Sequence, residues 1–212
     1  MKQYSIFDII GPDMIGPSSS HTAGAAKIGY MALKIFGMPI HKVLFELHGS
    51  FAQTYQGHGT DKALLAGILG IHHNDERLSE AFERAEGLVE YQFEKADLGE
   101  VHPNTVRITM TSQDGISTVV QGSSIGGGHA MITEINEVQV EIDGTYDTII
   151  TVHKDQPGMV ATLSKIFAEE RINIAYMKLY RETRGMNAIM VLEVDESICK
   201  EQLTKLKEQK DV

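Results

Sequence analysis

The chain has 212 residues, a formal net charge of −10 from 29 acidic and 19 basic side chains, and a single cysteine, Cys199. An acidic surface of this kind repels phosphate backbones and argues against a nucleic-acid partner. One thiol excludes both an internal disulfide framework and a multi-thiolate metal site within one chain. With 42% hydrophobic and 23% charged residues, no apolar run long enough for a membrane span and no basic-then-apolar leader at Met1-Lys2-Gln3-Tyr4, the expectation is a cytosolic globular protein with no membrane partner. Its length suits one large domain or two small ones.

In chain order, Ser5-Ile6-Phe7-Asp8 reads as a short capped helix stopped by Gly11-Pro12. A helix is expected from about Ala23 to Phe36, with Ala25, Ile28, Ala32 and Phe36 along one side and Gly37 ending it. Val43 to His48 reads as a strand, and Lys62 to Leu69 and Asp75 to Glu86 as helices. Strands follow at Tyr91 to Lys95, Val106 to Ser112, Ile116 to Gln121, and Ala130 to Ile142 with a break near Asn136. Gln113-Asp114-Gly115 marks a hairpin between the second and third of these.

Beyond Asp143-Gly144 the period changes in a regular order. Thr148 to His153 is a strand pattern, Lys154-Asp155-Gln156-Pro157-Gly158 a turn, and Met159 to Glu170 a helix with Val160, Leu163, Ile166 and Phe167 on its buried face. Asn173 to Tyr180 and Ala188 to Val194 read as strands around a hairpin turn at Arg184-Gly185. Asp195 or Ser197 is placed to cap a last helix that buries Ile198, Leu203 and Leu206.

The most distinctive motif is Gly16-Pro17-Ser18-Ser19-Ser20-His21-Thr22, set just before a helix. Hydroxyls, an imidazole and free helix-terminal amides in one place suit a carboxylate or other small anion. One hydroxyl would be enough for a cap; this motif has four. Gly57-His58-Gly59-Thr60-Asp61, His102-Pro103-Asn104 and Ser123-Ser124-Ile125-Gly126-Gly127-Gly128-His129 have a similar character. Taken singly, they can be a helix cap, an Asn-stabilised loop and a flexible glycine loop; the last also fits an anion nest.

Taken together and in this order, the four motifs resemble the beta-chain half of the iron–sulfur-dependent L-serine dehydratases. The strand–helix–strand–strand–helix order after residue 143 resembles the ACT domain, a small ferredoxin-like regulatory module, and Asp155-Gln156-Pro157-Gly158 looks like its ligand-binding turn. The fold expected is α+β: an N-terminal domain, 1–143, similar to the allosteric substrate-binding domain of D-3-phosphoglycerate dehydrogenases, then an ACT domain, 148–212. ACT domains normally add a fourth strand. Val212 leaves little room for one, so the sheet edge is expected to be open or completed by another chain.

The resemblance implies deamination of L-serine to pyruvate and ammonia. It assigns a 4Fe–4S cluster to a separate alpha subunit, where the metal acts as a Lewis acid on the substrate. Ser18, Ser19, Ser20, Thr22, Asn104 and Gly126, Gly127 and Gly128 are the implied substrate contacts. His21, His58, Asp61 and His102 are the candidates for proton handling. Asp155, Gln156, Pro157, Gly158 and Asn173 would hold an amino-acid or monovalent-cation effector, with ACT domains pairing as a homodimer. A second reading is a stand-alone amino-acid sensor related to the dehydrogenase regulatory region. A serine hydrolase is set aside, because Ser20 and His21 are adjacent and the Gly-x-Ser-x-Gly elbow is absent.

Overall fold

Alternating apolar residues dictate the first strand: in β1 (Lys42–Leu47), Val43, Phe45 and Leu47 are fully buried while the residues between them are not. The computed structural model describes residues 16–181 and 183–212. The expected Ser5–Asp8 helix and its Gly11-Pro12 stop lie outside the described residues. The chain divides into two units, Met1–Asp143 and Gly144–Val212.

In the first unit, a π-helical turn (Ser20–Gly24) runs directly into α1 (Ala25–Phe36), which ends at Gly37 in the left-handed conformation, φ 65°. After β1 come α2 (Gly49–His58), α3 (Thr60–Ile68), a 3-10 turn (Glu76–Glu80) and the short α4 (Ala81–Ala85). Five further strands follow: β2 (Glu90–Lys95), β3 (Thr105–Thr111), β4 (Ser117–Gly126), β5 (His129–Ile135) and β6 (Val138–Ile142). They form one sheet in the order β2-β1-β3-β4-β5-β6, antiparallel except for the β1–β2 pair. The core is a layer of helices on one sheet face, with Ile28, Phe45, Phe51, Leu64, Leu65, Ile108, Met110 and Ile132 all fully buried. Gly29 of α1 and Gly67 of α3 let the two helices meet backbone to backbone: a Cβ on Gly67 would stand 2.6 Å from Tyr30 N and collide with Ala26 O.

Four expectations change here. The first helix begins at Ser20 and not near Ala23, so His21 and Thr22 lie inside its first turn and are buried. The whole of α2 was not expected: it carries Gln53, Thr54, Gln56 and Gly57 and buries only Phe51 and Ala52, so its apolar period is faint. The single helix expected over Asp75 to Glu86 is a 3-10 turn followed by one α-turn, with Asp75 Oδ1 accepting Arg77 N–H at 2.9 Å. The Ser123–Gly128 segment is not a loop between strands. Ser123 to Gly126 are the end of β4, and Gly126, Gly127 and Gly128, all at positive φ, turn the chain into β5. The break expected near Asn136 is a two-residue turn with Asn136 and Glu137 at φ 46° and 70°.

The second unit consists of β7 (Asp147–Lys154), α5 (Met159–Glu169), β8 (Ile174–Arg181), β9 (Asn187–Val194) and α6 (Lys200–Lys207). Its strands form an antiparallel sheet in the order β7-β9-β8. The core is Ile149, Leu163, Phe167, Ile172, Met190, Leu192, Val194 and Leu206. Val160, expected in this core, is 43% exposed, because Met159 takes the inward position one residue earlier. Leu203, also expected inside, is 37% exposed. Neither Asp195 nor Ser197 caps α6. Cys199 does, its N–H donating to Gln202 Oε1 at 2.9 Å, while Ser197 Oγ donates to Asp147 Oδ2 and Asp195 Oδ2 accepts Asn173 Nδ2. Among the described residues there is no fourth strand in this sheet, and no helix is long and apolar enough to cross a membrane.

Candidate functional site

The site of the first unit is centred on His21, which the π-turn holds 8% exposed. Ser18 Oγ lies 3.2 Å from His21 Nδ1, and Ser50 Oγ lies 3.2 Å from Nε2. The rings of Phe51 and His58 pack edge-on against it, with centroids at 5.3 and 4.7 Å. Burial lowers the His21 pKa below the usual histidine value, repulsion from His58 adds to that, and a hydrogen bond to the Ser50 backbone opposes it. His21 is therefore neutral near physiological pH, with an imidazole able to take up a proton.

Around the π-turn are several buried polar atoms with no hydrogen-bond partner: Thr22 Oγ1, His58 Nδ1, Thr60 Oγ1, Asn104 Oδ1 and Ser124 Oγ. Buried groups of this type are normally satisfied, and leaving one unmatched costs about 1–3 kcal/mol. Local folding accounts for how they come together. Gly24 has no Cβ, so Ser124 sits against its backbone; a Cβ there would stand 2.8 Å from Ser124 Cβ. Ser124 N–H donates to Asn104 O at 2.9 Å, tying β4 to the His102-Pro103-Asn104 turn. That turn holds the start of α2: Ser50 N–H donates to Pro103 O at 2.8 Å and His48 N–H to Thr105 O at 3.0 Å.

Of the residues expected from sequence, Ser18, His21 and His58 are brought together directly. Thr22 is buried within the π-turn and Asp61 at the start of α3, while Ser19 and Ser20 are half-buried. Ser20 is not the partner of its neighbour His21; the serine three residues earlier is. His102 is exposed, and its Nδ1 accepts the Asn104 N–H at 3.1 Å. Ser123 is committed within the sheet to Thr105 Oγ1 at 2.7 Å. Gly126, Gly127 and Gly128 form the β4–β5 hairpin. Ser50 and Phe51 were missed. The available signal was the His48-Gly49-Ser50 cluster directly after a strand.

Burial raises the Asp61 pKa, partly offset by the Lys62 N–H that its Oδ1 accepts at 2.8 Å. A raised folded pKa means that this group's contribution is fully present below the unfolded value near 3.9 and is lost as pH rises through the folded pKa. At neutral pH its charge is thus a standing cost. Asp61→Asn is expected to match or exceed wild-type stability at pH 7, with the difference shrinking toward pH 4, as thermal melts across that range would register. A variant less stable at pH 7 than at pH 4, relative to wild type, would contradict this.

In the second unit, Asp155 ties the β7 end to the β8–β9 hairpin. Its Oδ2 accepts Arg181 Nη1 at 3.0 Å and Gly185 N–H at 2.9 Å, and its own N–H donates to Met186 O at 2.7 Å. These bonds, the Gly185 amide foremost, lower its pKa, so the anchor is present above the unfolded carboxylate value near 3.9 and is lost as pH falls through the depressed one. Asp155→Ala should speed hydrogen exchange at the Gly185 amide; unchanged exchange would contradict the anchor. Gln156 Nε2 donates to Asp211 Oδ2 at 2.9 Å, and Pro157 and Gly158 complete the turn, Gly158 at φ 97°. Asn173, bound to Asp195 and Glu196, lies at the opposite end of β8.

Comparison with known proteins gives these two units a family. The chain is 43% identical over 93% of its length to a probable L-serine dehydratase beta chain of Bacillus subtilis (strain 168), covering 90% of that protein. The L-serine dehydratase beta chain of Peptoniphilus asaccharolyticus is 40% identical with the same coverage of both chains. This chain belongs to the serine dehydratase beta-chain family. The family model described as serine dehydratase beta chain matches residues 5–92 of this chain, and a model described as AHAS small subunit-like ACT domain matches its residues 149–212. A more distant likeness, 24% identity over 81% of the chain and 33% of the other protein, links it to the D-3-phosphoglycerate dehydrogenase of Bacillus subtilis (strain 168). The fold is thus the expected one, mixed α/β with a C-terminal ACT domain. The residues of this chain do not fit as the ligands of a 4Fe–4S cluster, which takes several thiolates: Cys199 is its single cysteine and caps α6 in the ACT unit.

Proposed function

We propose that this chain is the beta half of an L-serine dehydratase, an L-serine ammonia-lyase that yields pyruvate and ammonia only when joined to an alpha subunit holding a 4Fe–4S cluster. The observation that carries the reading is the neutral, doubly hydrogen-bonded His21 set among orphaned buried hydroxyls. In this reading the hydroxyls of Ser19, Ser20, Thr22 and Thr60 donate to the substrate carboxylate, and Asn104 Oδ1 accepts from its ammonium group. His21 takes the proton from the α-carbon, and His58 and Asp61 shape the charge around it. Gly126, Gly127 and Gly128 let backbone approach the bound molecule. The enzyme works in the cytoplasm, where thiols stay reduced.

The ACT unit pairs with a second copy and binds an amino-acid or monovalent-cation effector. Asp155 and Asn173 are separated by the length of β8, roughly 25 Å, so the effector would contact Asp155 to Gly158 of one copy and Asn173 of the other. The alternative, a stand-alone sensor, draws on the dehydrogenase likeness, but a sensor would not need the serine-rich π-turn. A co-expressed complex carrying Ser19→Ala decides between them. The enzyme reading expects retained cluster absorbance with KM for L-serine raised roughly tenfold, the cost of one charge-assisted hydrogen bond. Unchanged kinetics would contradict the carboxylate assignment.

A further inference from the structure

A neutral imidazole donates from one ring nitrogen and accepts at the other, and each nitrogen of His21 faces a serine hydroxyl. Ser18 Oγ accepts the backbone N–H of His21 at 3.4 Å, and its own proton is free to donate to Nδ1 3.2 Å away. With Ser18 as the donor, Nδ1 is the acceptor and Nε2 carries the hydrogen that Ser50 Oγ, 3.2 Å away, accepts. Ser50 is held independently of His21. Its backbone N–H donates to Pro103 O at 2.8 Å. Gly49 before it has φ 55°, and a Cβ there would stand 2.6 Å from the same carbonyl oxygen. Thr54 Oγ1 fixes the other side of the peptide by donating to Ser50 O at 2.8 Å.

We propose that Ser50 is a positioning residue: clamped by the Pro103 carbonyl, it holds His21 in the Nε2–H tautomer and so makes Nδ1, the nitrogen beside Ser18, the proton-accepting one. This rests on the reading of His21 as the proton acceptor, and it gives the His102-Pro103-Asn104 turn a task. The turn acts through the clamp on Ser50, while the exposed His102 ring is occupied with the Asn104 amide. The side chains presented to His21 by the elements packed on the π-turn are Phe51 and the titratable His58 from α2. Thr60 and Asp61 begin α3, and Ser123 and Ser124 lie near the end of β4.

Two readouts test the proposal. Ring nitrogen-15 NMR of the full chain, with His21 assigned by its loss in His21→Gln, should show a protonated Nε2 and an unprotonated Nδ1. Ser50→Ala should mix the tautomers, and Ser50→Thr, which keeps the hydroxyl, should restore the wild-type pattern. In the complex with the alpha subunit, Ser50→Ala should lower kcat roughly ten- to a hundredfold, the usual cost of losing the group that orients a functional histidine, with KM little changed. The acid limb of its pH profile should stay in place, because the Ser50 group that opposes the lowering of the His21 pKa is its backbone, which alanine keeps. Gly49→Ala, which displaces the clamp, should act on the tautomer and kcat in the same direction. An unchanged tautomer in Ser50→Ala would overturn the proposal. A changed tautomer with wild-type turnover would uphold the grip of Ser50 on His21 and overturn instead the assignment of His21 as proton acceptor.

Discussion

His21→Ala in the assembled enzyme is expected to lower kcat by about 10²- to 10⁴-fold, the range associated with removing a positioned acid–base group. The expectation follows from the combined placement of the imidazole. It is buried, held neutral by desolvation and by His58, and bonded at both nitrogens. The same variant has a signature in stability. Folding disfavours the protonated form of His21, so the wild type should lose stability as pH falls below the unfolded value near 6.5. That slope should flatten in the variant. His102→Ala serves as the contrast, because its ring is exposed and accepts a single local amide; its loss should stay within about tenfold. Equal losses in the two variants would remove the distinction between the buried and the exposed histidine.

The largest expected effect on stability is at Gly67. A Cβ there meets only backbone, Ala26 O and Tyr30 N of α1, and backbone cannot turn aside as a flexible side chain can. Gly67→Ala should cost about 3 kcal/mol, the upper end for overpacking a tight contact, and lower the melting temperature by on the order of 10 °C. Because α1 continues directly from the π-turn, the displacement should also reach His21 and reduce turnover. Gly57→Ala is the matched control. It lies inside α2 with no atom within 4 Å of the added Cβ and without a positive φ, so alanine there should be neutral or stabilise by about 0.5–1 kcal/mol. Thermal melts should therefore fall for Gly67→Ala and stay level or rise for Gly57→Ala. A Gly67→Ala protein as stable as wild type would mean that the two helices do not interlock as described.

Much of this was legible in the residues because the signals were local. The β1 alternation, the Gly37 stop, the Asn136 break and the order of elements after residue 143 each follow from a short stretch of chain. The serine-rich motif announced polar chemistry, since four hydroxyls exceed what a helix cap needs. What sequence could not supply was tertiary pairing. Ser50 lies 29 residues from His21, within a helix whose weak apolar period conceals it. Ser123 and Ser124 read as a loop because their glycine neighbours dominate the pattern, yet the sheet buries them beside Thr105 and Gly24. Val160 was misplaced by one position on its helix, since a stripe of Val160, Leu163, Ile166 and Phe167 is nearly as regular as the one that starts at Met159.

The central claim is that this chain is one catalytic half that depends on a cluster-bearing partner. The most direct measurement is anaerobic reconstitution: the purified chain, a purified cysteine-rich alpha subunit carrying its iron–sulfur cluster, and the two mixed, each assayed for pyruvate and ammonia from L-serine. The account predicts no turnover from either alone, turnover from the mixture, and its loss when the chain carries His21→Ala. Pyruvate formation by the alpha subunit alone at the rate of the mixture, or by this chain without any partner, would contradict it.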